Sequence, residues 1–98
     1  MRYTNRVMEN KTLTMKNLRD AVYADSFGRD RAGNFVVRRG FYYRNGGTAE
    51  RFRDQVAAQL ESAGIKFTVV NCGEHWAPFR GGASTRNSSH WYVTVAAA

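Results

Sequence analysis

Two histidines, His75 and His90, are the residues of this chain best suited to proton transfer. Each sits in a short polar and aromatic block, Glu74-His75-Trp76 and Ser88-Ser89-His90-Trp91. Imidazole exchanges protons near neutrality. Two such rings, with a carboxylate and arginines such as Arg80 and Arg86, are the parts needed for acid–base cleavage of RNA. The spacing orients neither ring, so two histidines beside two packing tryptophans compete with a small ribonuclease-like enzyme using His75 and His90. Cys72, Glu74, His75 and His90 are also metal-ligand types, but a lone Cys-x-x-His lacks the paired spacing of a structural zinc site. Cys72 has no identifiable base to activate it as a nucleophile. The expectation is therefore no metal, no cofactor and no catalytic residue set.

The second chemistry is anion binding. The chain holds 15 basic and 8 acidic residues, a net charge of +7 and a pI of about 10.2. Residues 1–44 carry ten basic and four acidic residues, an excess of six, and residues 45–98 an excess of one. Twelve of the basic residues are arginine, which binds phosphate bidentately and stacks on bases; an arginine-rich composition can equally reflect a GC-rich genome. Aromatics interleaved with cations on an open sheet bind single strands in several small α+β modules. On this reading Arg38, Arg39, Arg44 and Arg80 meet phosphates, and Tyr42 and Tyr92 stack on bases. Arg80-Gly81-Gly82-Ala83-Ser84 is a basic glycine-rich loop able to cradle phosphate, without the further spacing of a nucleotide hydrolase loop.

These residues need a sheet to carry them. Phe35–Arg44 is rich in β-branched and aromatic residues and reads as a strand. Alternation puts Phe35, Val37, Arg39, Phe41 and Tyr43 on one face, and Val36, Arg38, Gly40, Tyr42 and Arg44 on the other. Gly40 suggests a bulge or a close backbone approach. After the Asn45-Gly46-Gly47 turn, Thr48 is a natural N-cap, Glu50 suits the helix dipole, and Ala49, Phe52, Val56, Leu60 and Ala63 form one stripe. The helix spans roughly Thr48–Ala63 and stops at Gly64. Ile65–Val70 alternates as a strand, and the β-α-β unit leaves its two strands either adjacent or flanking a third. His90–Val95 is a final strand, expected antiparallel to Ile65–Val70. Residues 71–89 read as a long connection.

Upstream, Thr14–Tyr23 patterns as a short helix capped by Thr14, with Val22–Phe27 as a competing strand that would pair with Phe35–Tyr43. Residues 1–12 read as a basic, mobile arm and 13–98 as a single domain. The expected core is Leu18, Val22, Phe35, Val37, Phe41, Phe52, Val56, Leu60, Ile65, Phe67, Val69, Trp91, Val93 and Val95. The fold class is α+β, a small mixed β-sheet with a β-α-β-β core and one or two helices on one face. No apolar run approaches the roughly 20 residues that span a bilayer. No leader pattern is visible, and one cysteine excludes an intrachain disulfide and fits a reducing compartment.

The blocks Gly40-Phe41-Tyr42-Tyr43-Arg44-Asn45-Gly46-Gly47-Thr48-Ala49-Glu50, Gly73-Glu74-His75-Trp76-Ala77-Pro78-Phe79-Arg80-Gly81-Gly82-Ala83-Ser84 and Ser89-His90-Trp91-Tyr92-Val93 resemble small uncharacterised proteins encoded by tailed bacteriophages, over about residues 15–95. The resemblance implies a phage origin, work in the cytoplasm of a bacterial host and an accessory role. The leading expectation is a non-enzymatic module that binds nucleic acid, RNA or DNA. The runner-up is an inhibitor that binds a host or anti-phage protein through the loop residues Glu74, His75, Trp76, Phe79 and Arg80.

Overall fold

The computed structural model of the chain describes residues 11–40, 47–76 and 89–98. Its elements run α1 (Met15–Ala21), β1 (Ser26–Arg29), β2 (Phe35–Gly40), α2 (Ala49–Ser62), β3 (Phe67–His75) and β4 (His90–Ala97). The strands form one sheet in the order β1-β2-β4-β3, and every hydrogen-bonded pair is antiparallel. The α+β class is as the sequence predicts, but the four strands pair antiparallel throughout and not as the mixed sheet expected. Strands β2 and β3, joined through α2, point the same way and flank β4, the second of the two arrangements left open above.

The helix α2 forms where its stripe and caps demand. Thr48 Oγ1 accepts a hydrogen bond from the Arg51 amide at 3.0 Å, and Glu50 occupies the first turn. Phe52, Val56 and Leu60 turn inward and are almost wholly buried. Burial of each such side chain contributes about 1.5–3 kcal/mol. At the end of the helix Gly64 adopts φ 74°, a left-handed conformation that costs glycine no Cβ clash.

The shorter α1 has only seven residues, too few to persist alone in water. Thr14 caps it through the Asn17 amide, and Leu18 and the following Val22 anchor it in the core. Both sequence readings of this region hold in part: the helix ends at Ala21, and the strand begins at Ser26 rather than Val22. The hairpin to β2 closes over residues 30–34, where the Asp30 carboxylate accepts from the Asn34 amide at 2.9 Å and Gly33 takes φ 90°.

Both helices cover one face of the sheet. Phe35, Val37, Val93 and Val95 meet Leu18, Phe52, Val56, Leu60 and Ile65 in one cluster, with Phe67, Val69, Cys72 and Trp91 packed against it. Phe41 lies outside the described residues. Leu13, absent from the expected core, is buried, because Lys11 in the presumed arm pairs with Ile65: its N–H donates to the Gly64 carbonyl and its carbonyl accepts from Lys66. Residues 1–10 are outside the described residues.

Three boundary readings are corrected. β3 runs on to His75, so residues 71–75 belong to the sheet and not to a loop. Ile65 makes an isolated bridge before that strand, its side chain still in the core. Of the bulge or close backbone approach suggested at Gly40, the bulge is absent there and occurs in β3, where the register shifts between Val69 and Asn71 and leaves Val70 exposed. Gly40 keeps continuous register with β4, and its amide donates to the Asp25 carboxylate at 2.7 Å. Without the Val70 shift, Cys72 and Glu74 would fall on the same face as His75 does now.

Candidate functional site

Because cross-strand partners share a face, the register fixes what the sheet presents away from the helices. The pair Val37↔Val93 is in the core. The intervening pairs therefore face outward: Val36↔Thr94 and Arg38↔Tyr92 between β2 and β4, and Gly73↔Tyr92 and His75↔His90 between β4 and β3. Val36 and Thr94 are buried even on this side. Beyond them Arg38, Tyr92 and His90 are half-buried and His75 is exposed.

Two glycines on the edge strands give these side chains room to lie flat. A Cβ at Gly28 would stand 3.3 Å from Arg38 Nη1, so the guanidinium reaches across β1. A Cβ at Gly73 would stand 2.7 Å from the Tyr92 hydroxyl and 2.9 Å from its Cζ, so the phenol ring crosses β3. One step along the strands, the imidazoles of His75 and His90 stack with centroids 4.9 Å apart and planes 24° apart. An arginine, a phenol and two stacked imidazoles thus share one face of the sheet.

The charge on this face is one-sided. Glu74 is the only carboxylate within the four strands, and its partner Trp91 places it on the helix side. Among the described residues Arg38 is the one formally charged side chain on the outward face of the strands, and no acid stands there. Such a surface attracts anions.

The sequence-predicted site residues separate accordingly. Arg38 and Tyr92 share the outward face as cross-strand partners, with Arg38 leaning over β1 and Tyr92 over β3. Arg39 does not join them: it projects to the helix side, where Nη1 donates to Gln55 Oε1 at 3.3 Å and the guanidinium lies 5.3 Å from the Tyr23 ring centroid. Tyr42, Arg44, Phe79, Arg80 and the Arg80–Ser84 loop lie outside the described residues. Glu74 and Trp76 are linked by a hydrogen bond from Trp76 Nε1 to Glu74 Oε1 at 3.0 Å, and Trp76 is 66% exposed.

The sequence reading missed Gly28 and Gly73 as seats for long side chains. Their signal was there: each is a glycine inside a strand, which marks a close approach. The two histidines of the ribonuclease-like alternative are in direct ring contact at a centroid separation of 4.9 Å.

Among the described residues no helix is long and apolar enough to cross a membrane. Comparison of the chain with protein-family models, with curated proteins and with solved structures returned no match, so no residue role is transferred from a relative.

Proposed function

We propose that this chain is a non-enzymatic binding module for nucleic acid, and that its interface is the sheet face opposite the helices. The observation that supports this most is the shared placement of Arg38, Tyr92, His90 and His75 on a face whose strands carry no carboxylate. Arginine meets phosphate oxygens as a planar fork, and exposed ring faces stack on unpaired bases whatever their identity. Among the described residues no helix protrudes from this face to read a major groove. Single-stranded RNA or DNA fits it better than duplex. In the setting that the phage resemblance suggests, the protein is an accessory factor acting in a bacterial cytoplasm.

The test is binding of the full chain to labelled single-stranded RNA, single-stranded DNA and duplex DNA at low and moderate salt, with each substrate run on a gel afterwards. Salt-sensitive binding of the single strands with intact substrate is the expected result, because released counterions make affinity fall with salt. No binding at low salt overturns the proposal. Cleavage would favour the ribonuclease reading instead.

Trp76 favours a second reading. A tryptophan exposed at 66% beside Glu74 and His75 is the residue type that anchors protein interfaces. A host or anti-phage protein captured through it would stay bound at moderate salt and be lost in Trp76→Ala.

A further inference from the structure

The pairing of β3 with β4 creates a juxtaposition that the linear spacing hides. His75 and His90 are direct cross-strand partners, and their rings are already in contact at a centroid separation of 4.9 Å. Cys72 and Glu74, the other ligand types nearby, pair with Val93 and Trp91 and so project to the opposite side of the sheet. We propose that His75 and His90 form a two-imidazole chelate for a borderline transition-metal dication, Zn2+, Ni2+ or Cu2+. The chelate uses two residues of the proposed nucleic-acid face, but it does not rest on that reading, because its test adds the metal alone.

Ligand chemistry and geometry both support it. Imidazole nitrogen suits zinc, copper and nickel. Metal–nitrogen bonds of about 2.0–2.1 Å require the two donor nitrogens to stand roughly 3 Å apart. The planes are 24° apart, so the rings reach that separation by turning about the bond to the imidazole, a soft torsion. The Cα positions need not move, since the strand ladder already holds the two residues opposite each other. His75 is exposed and His90 half-buried, so an ion can arrive from solvent. No group of three or more His, Cys, Asp or Glu side chains able to hold a metal forms among the described residues. Among the described residues the chelate is thus two-membered and is not a closed structural site.

The test titrates the untagged full chain with NiCl2 and with ZnCl2 by calorimetry, alongside His75→Gln, His90→Gln and Cys72→Ser, each checked for fold by circular dichroism. One ion per chain is expected. Its affinity should fall by about tenfold or more in each histidine variant and hold in Cys72→Ser. Histidine side-chain 15N resonances of the unmodified chain give a readout that needs no variant, and both rings should shift together on adding Zn2+. Absence of binding at millimolar metal, affinity unchanged in either histidine variant, or loss of binding in Cys72→Ser overturns the proposal.

Discussion

The hydroxyl of Tyr92 lies 2.7 Å from the point where a Cβ on Gly73 would stand. Tyr92 is on the central strand β4 and Gly73 on the edge strand β3, directly across from it. The ring can lie along the sheet and offer its face because its neighbour has no side chain. Gly73→Ala tests whether that pose matters. The added methyl group must lift the ring. Stability should change by less than about 1 kcal/mol, since a strand alanine offsets part of the steric cost. Affinity for single-stranded nucleic acid should fall toward that of Tyr92→Ala, a loss of about 1–3 kcal/mol for one stacked base, or roughly 5- to 150-fold. Wild-type affinity in Gly73→Ala, with a loss in Tyr92→Ala, would show that the flat pose is not the binding pose. Fluorescence anisotropy and a thermal melt decide it.

Arg38 and Arg39 are consecutive and project to opposite sides of the sheet. If the outward face carries the phosphates, Arg38→Ala should lower the slope of log affinity against log salt by about 1. Arg39→Ala should leave that slope in place. Equal changes in the two variants would place the phosphate path elsewhere. Binding isotherms at four salt concentrations are sufficient.

Gly47 stands just before the Thr48 cap of α2, and a Cβ there would fall 2.6 Å from Trp91 Cη2 and 3.0 Å from Cζ2. The indole is packed against the core and is not the loose end of a flexible chain. Gly47→Ala should therefore destabilise the fold by about 1–3 kcal/mol through overpacking, read as a lowered urea midpoint. A midpoint within error of wild type would mean that Trp91 repacks freely.

The core and its exposed margin should respond very differently. Leu60 is fully buried, so Leu60→Ala should cost about 2–5 kcal/mol. Val70, extruded by the register shift and 47% exposed, should tolerate Val70→Ser within about 0.5 kcal/mol. Thr48→Ala, which removes the acceptor of the Arg51 amide, should fall between them at about 0.5–2 kcal/mol. Chemical denaturation of the three variants checks the order. A large loss in Val70→Ser would contradict its exposed placement.

Much of this architecture was legible in the chain. The stripe Phe52, Val56 and Leu60, the cap at Thr48 and the stop at Gly64 define α2 by local rules alone, and that helix forms as read. Alternation correctly divided Arg38 from Arg39, because successive strand side chains must point to opposite faces. The charge balance and the single cysteine also follow from the sequence alone.

The sequence predicted the antiparallel pairings of β4 with β3 and of β1 with β2, both as found, but it could not decide that β2 also borders β4, nor the register of any pair. A strand pattern specifies a face but not a partner, and the same alternation fits several pairings. Only the tertiary structure inserts β4 between β2 and β3, carries β3 on to His75 and places the one-residue shift at Val70. A strand's face inverts with each single-residue slip. That shift therefore puts His75 against His90 and Gly73 beneath Tyr92, and sends Cys72 and Glu74 to the other side. The candidate site exists because of this pairing, which depends on residues distant in sequence packing over one core.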